Sequence, residues 1–273
     1  MQREYSQLRQ YITLFRIRFI AGLQYRAAAV AGIMTQFAWG GMTVLLYRAF
    51  YQADPSAFPQ SFESMCSYIW IQQAFLAIFM VWGMDPEPFN LIKSGDIAYE
   101  LCRPVSIYWM WFVKSAAIRL AKAVLRCMPL LIFALLLPHP YRLILPDAGR
   151  LLLFAGSVLL ALVNIVAFTM LIYISTFYTL DSTGLRSLLS TLAEFLSGGL
   201  IPLPFFPDSL QRILDLLPFA GMENTPLQLY NGTLTGSQAV FAIGMQLLWA
   251  TVMIGTGVVW MRRALKNVVA QGG

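Results

Sequence analysis

DPEPFNLIKSGDIAYELCR, residues 85–103 and closed by Pro104, is a polar stretch lodged between two long apolar segments. It is too short for a domain and too patterned for a linker. Pro86 and Pro88 suit the first turn of a helix, where a missing N–H costs nothing. Gly95 predicts a helix stop, and Asp96 can cap a second short helix. An ordered helical elbow between two membrane spans offers its side chains to a contact on the cytosolic side. Glu87, Asn90, Lys93, Asp96, Glu100 and Arg103 would supply polar contacts, with Phe89 as an apolar anchor. The plainer alternative is a surface helix that only tidies a turn.

Working outward, the composition sets the class. The chain is 58% hydrophobic and 12% charged, against about half and about a quarter in soluble domains. Its 273 residues therefore bound a number of spans, at about 20 apolar residues each. The formal charge of +6 sits beside the ends of apolar segments, as membrane-flanking charge does, and not as a nucleic-acid footprint. Six spans are expected, giving an all-α integral membrane protein. They cover 27–47, 65–84, 116–137, 151–178, a short one after Arg186, and 239–261. Most Lys and Arg fall on one side of this arrangement, leaving Arg48, Arg142, Arg150 and Arg212 on the other. Both termini and the elbow are then cytosolic.

Before the first span, Leu8, Ile12, Phe15, Phe19 and Leu23 share one helical face, flanked by Arg9, Arg16 and Arg18. This predicts an amphipathic helix over 1–26 lying on the inner leaflet; a disordered leader is the alternative, and a cleavable signal is not expected. Residues 27–265 form the membrane domain, with the elbow at 85–104 and an outer hairpin at 198–218, and 266–273 form a cytosolic tail.

Catalytic motifs are missing from the sequence. Cys66, Cys102 and Cys127 have no CxxC spacing, His139 is the single histidine, and no P-loop, nucleophile elbow or HExxH occurs. No metal site and no cofactor bound by this chain is expected. The Asn231-Gly232-Thr233 sequon faces the outer side in this topology.

Several polar residues resist a purely apolar account of the spans. A helix over 107–137 is about 46 Å long, beyond a core of about 30 Å. Its lower part, with Lys114 and Arg119, is expected to protrude on the cytosolic side, while Arg126 falls near mid-membrane. Glu194 lies inside the fifth span, where an acid costs about 3 kcal/mol unless protonated, paired or wetted. Arg126 and Glu194 are therefore expected partners, within one subunit or across a dimer; alternatively Glu194 faces a transport path. Asn164 is either interhelical glue or a substrate contact. In SGGLIPLPFFPDSLQRILDLLPF, residues 197–219, Gly198, Gly199, Pro202 and Pro204 break the fifth helix. A new helix follows, with Leu210, Ile213, Leu214 and Leu217 on one face. Broken backbone at membrane depth needs protein or water around it. This predicts a re-entrant hairpin acting as an outer gate, with Phe205 and Phe206 as its bulk.

The order of elements resembles that of an ABC-2 type exporter permease. IKSGDIAYELCRPVS, from Ile92 to Ser106, is similar to the G-x-hydrophobic…L-x-R-P signature of a bacterial ABC-2 permease subgroup. The resemblance implies a half-transporter in the bacterial cytoplasmic (inner) membrane that pairs with a second permease chain, identical or paralogous. It implies cytosolic ABC ATPase subunits carrying ATP and Mg, contacts with membrane lipids, and the elbow as the coupling helix. The chain itself would not be an enzyme, in keeping with its lack of a Walker motif. An ion-coupled secondary transporter using Glu194 is the alternative function, and a membrane scaffold or intramembrane enzyme a third. The resemblance leaves the cargo open among drugs, peptides, lipids and polysaccharides.

Overall fold

The computed structural model describes residues 2–179 and 182–266, with side chains from Leu8 onward, so the tail expected after 266 lies outside the described residues. Eleven α-helices occur among them, in the order α1 (Gln2–Leu23), α2 (Arg26–Ala53), α3 (Phe62–Phe79), α4 (Glu87–Ser94), α5 (Ile97–Leu101), α6 (Ile107–Leu136), α7 (Ala148–Ser175), α8 (Thr183–Ser197), α9 (Asp208–Leu216), α10 (Asn224–Asn231) and α11 (Gly236–Lys266). No strand occurs among the described residues. Three of the helices are long and apolar enough to cross a membrane: α2, α7 with its extension to Tyr178, and α11.

The others depart from a simple apolar rod for visible reasons. Fourteen of the 18 residues of α3 are buried, so this helix is the core of the bundle and faces protein on nearly every side. The long helix α6 packs against α1, α2, α3 and α7, while α7 packs against α11 and α10. Of the basic side chains of α6, Lys114 and Arg119 are partnered inside the protein, as described below. α8 has only 15 residues, because Gly198 takes a left-handed conformation (φ 90°) and ends it.

The second apolar segment does not stay helical to Met84. α3 stops at Phe79, and Met80 turns extended (φ −61°, ψ 119°). Val81 and Met84 remain buried beyond the break. The free carbonyls of a helix end need donors, and here they come from Arg119 of α6. Its guanidinium donates to the carbonyls of Ile78 and Met80 and lies 3.5 Å from the Thr169 hydroxyl. Arg119 is 2% exposed, which overturns its expected place in a protruding, solvated part of α6.

Chain beyond the expected hairpin is also ordered. After α9 and Pro218, a short 3-10 turn at Ala220–Met222 leads into α10, where seven of eight residues are buried. The broken segment therefore runs on to Asn231 instead of ending at 218. Its end is tied to a distant helix: the Asn231 amide donates to the Ser64 carbonyl and Gln60, 2.9 and 3.2 Å away. The sequon asparagine is thus tied into the fold.

Candidate functional site

The elbow is built by the residues that signal it. Pro86 and Pro88 open α4, and Gly95, at φ 81°, ends it in the left-handed region that a Cβ would strain. Asp96 stands at the start of α5 without the expected side-chain cap; its carboxylate instead accepts from the Ser94 hydroxyl at 2.7 Å.

One side of the elbow is clamped to the bundle. Lys114 of α6 lies 3.1 Å from Glu87 and 3.2 Å from Glu100, so one ammonium bridges α4 and α5. The Trp111 indole donates to the other oxygen of Glu100 at 2.6 Å. Arg18 of α1 donates to both oxygens of Glu87, at 2.9 and 3.1 Å. The Tyr173 hydroxyl donates to the Asp85 carbonyl at 3.0 Å. Phe89 is buried, with its ring 4.8 Å from that of Tyr173 and the Arg186 guanidinium 5.1 Å above it. Phe89, Glu87 and Glu100 are therefore directed into the protein instead of standing free as docking contacts. The apolar face of so short a helix has the bundle against it, which spacing alone does not say.

The opposite side is open. Asn90, Lys93, Asp96 and Arg103 are exposed, and so is Tyr99, at 76%. Tyr99 went unnoticed in the sequence, although an aromatic in a polar amphipathic turn was the available signal.

Helix α1 is held by a second face, different from the one its apolar spacing suggested. Leu14 packs on the core around Phe89 and Trp111, and the Tyr11 hydroxyl accepts from the Ser106 N–H at 3.1 Å. Leu8 and Ile12 of the expected face remain exposed. Leu14 thus breaks the single-face pattern because it belongs to this docking face.

The Arg126–Glu194 pair is not formed within the chain. Arg126 lines a pocket between α1, α2 and α6 with Arg18, Lys122, Asp85 and Glu87. Its guanidinium lies over the backbone of α2 at Gly32, where an added Cβ would come within 2.4 Å of it. Glu194 lines a different pocket, between α2, α3 and α8. Among the described residues no ion pair joins the two.

Glu194 has a neighbour that sequence reading missed. Glu223 is 4% exposed and accepts from Gln72 at 2.7 Å and from the Ser197 hydroxyl at 3.4 Å. It lies between the expected hairpin and the sixth span, next to α10, a stretch that drew no structural expectation. Gly199 and Pro202 line the same pocket. Phe205 is wedged between Tyr47 and Phe58 (ring centroids 5.3 and 5.2 Å), and Phe206 meets Phe195 edge-on.

Asn164 is fully buried and donates to the Gln246 carbonyl of α11 at 3.0 Å. Gln246 in turn accepts from the Ser157 hydroxyl and donates to the carbonyls of Ser157 and Gly221. Among the described residues no group of three or more His, Cys, Asp or Glu is placed to hold a metal ion.

These features define a helical membrane protein with a charged elbow at one end of the bundle. Residues 37–272 match the ABC-2 family transporter protein, and the chain belongs to that family. Its members are the permease components of ABC transporters and generally work with ATPase subunits. No curated protein sequence matches the chain.

Proposed function

We propose that this chain is the permease of an ATP-driven exporter, pairing with an identical or paralogous permease and coupled through its elbow to separate ATPase subunits that bind ATP and Mg. α3, α6 and α8 join the three apolar helices as spans, with α8 completed by the broken segment that follows it. The elbow and both termini face the cytosol, in a bacterial inner membrane, and the 198–218 segment gates the outer side.

The observation that carries this reading is the two-sidedness of the elbow. Ion pairs and ring contacts fix one side to α1, α6 and α7, while Lys93, Tyr99 and their polar neighbours stand free. A force on the free side is passed to the bundle through short, charge-assisted bonds.

Co-purification of the ATPase with Lys93→Ala/Tyr99→Ala tests it. ATPase retention is expected to fall at least tenfold with the unfolding temperature of the permease unchanged. Full retention with full transport-coupled hydrolysis would overturn it.

A further inference from the structure

The pocket between α2, α3 and α8 has a volume of about 420 Å³ and combines three kinds of lining. Two carboxylates, Glu194 and Glu223, flank Gly199: the point a Cβ would occupy there lies 3.0 Å from Glu194 Cγ and 2.9 Å from Glu223 Oε2. Gln73 is 8% exposed, lines the same pocket, and its Oε1 has no hydrogen-bond partner. Trp39 and Trp82 form the outer wall and are exposed at 58% and 49%, so the pocket opens at the surface of the chain.

A buried amide oxygen without a donor is costly, and two carboxylates side by side at low dielectric repel. Glu223 uses only part of its accepting capacity on Gln72 and Ser197. Every one of these deficits is met by a positive group bearing N–H donors. The cavity is far larger than a bare ion, and the indole faces favour a cation with an attached ring.

We propose that this pocket binds a protonated aromatic amine, which makes such amines the cargo class of the permease. The inference rests on the exporter reading for the word cargo but not for the binding itself.

The test is equilibrium dialysis of the full chain in nanodiscs, against empty nanodiscs, with three probes sharing one ring: 1-naphthylmethylammonium, 1-naphthylmethanol and 1-naphthylacetate. Saturable binding of the ammonium, at least tenfold tighter than the alcohol or the acetate, is expected. Glu194→Gln and Gln73→Leu should each weaken the ammonium at least tenfold and leave the alcohol unchanged. The Glu194 side chain takes no part in the Gln72 and Ser197 bonds of Glu223, so its amide variant keeps the fold even where Glu223→Gln does not. Equal binding of ammonium and alcohol, or an ammonium affinity unaltered in Glu194→Gln, would overturn the proposal. Because no ATPase is present, failure here leaves the elbow experiment untouched, and failure of the elbow leaves this one standing.

Discussion

Arg119 shows how one side chain sets the shape of the bundle. One nitrogen of its planar fork donates to both carbonyls of the α3 end while the other lies 3.5 Å from the Thr169 hydroxyl of α7, a two-armed reach that a lysine ammonium does not reproduce. Replacing it with methionine leaves those carbonyls without donors, at about 1–3 kcal/mol each. Arg119→Met should therefore lower the unfolding free energy in nanodiscs measurably, and Arg119→Lys should recover only part of the loss. Equal stability of all three proteins would remove the capping role. The same scale separates Phe89 from Tyr99. Phe89→Ala empties a packed site and should cost about 3–5 kcal/mol, whereas Tyr99→Ala should leave stability within about 0.5 kcal/mol. A thermal melt of each variant decides it. Helix length put Arg119 in a solvated stretch of α6, but its partners lie at the end of α3 and on α7. No periodicity within α6 announces a carbonyl at the end of another helix.

Elements whose signals are local were legible. Pro86, Pro88 and Gly95 mark the elbow in the sequence as they do in the structure, since their constraints are those of their own backbones. Gly95→Ala should strain the left-handed stop by about 1–2 kcal/mol. Hydrogen exchange is then expected to speed up in α4 and α5 while α7 and α11 stay protected; uniform protection would contradict it. α10 was illegible for the opposite reason. NTPLQLYN drew no expectation, yet seven of its eight residues are buried, and the Asn231 amide at its end donates to Ser64 far along the chain. Between α7 and α11 the Asn164 amide donates to the Gln246 carbonyl, and the Ser157 hydroxyl to the Gln246 side-chain amide. A double-mutant cycle with Ser157→Ala and Gln246→Leu should give a coupling of about 0.6–1.7 kcal/mol, and strictly additive losses would deny that side-chain bond a role.

At the scale of the whole molecule, the orientation can be read with thiols the protein already carries. Cys102 is exposed on the elbow, while Cys66 is buried. A membrane-impermeant maleimide should modify Cys102 only in inside-out vesicles, and a cysteine introduced at Asp208, which is exposed at the start of α9, only in right-side-out ones. The reverse pattern would invert the proposed topology.

The bonds of α1 also fix an order of events during synthesis. Arg18 finds its partner 69 residues later in the chain, and Tyr11 finds its own 95 residues later. At about 5–20 residues per second, the first helix leaves the ribosome many seconds before either contact exists. Until then nothing of the bundle holds it, and its exposed Leu8, Ile12 and Ile17 are free to bind whatever apolar surface is nearest. α1 is thus seated only once the elbow and α6 have been made, and a nascent chain arrested before the elbow emerges should carry an α1 open to protease.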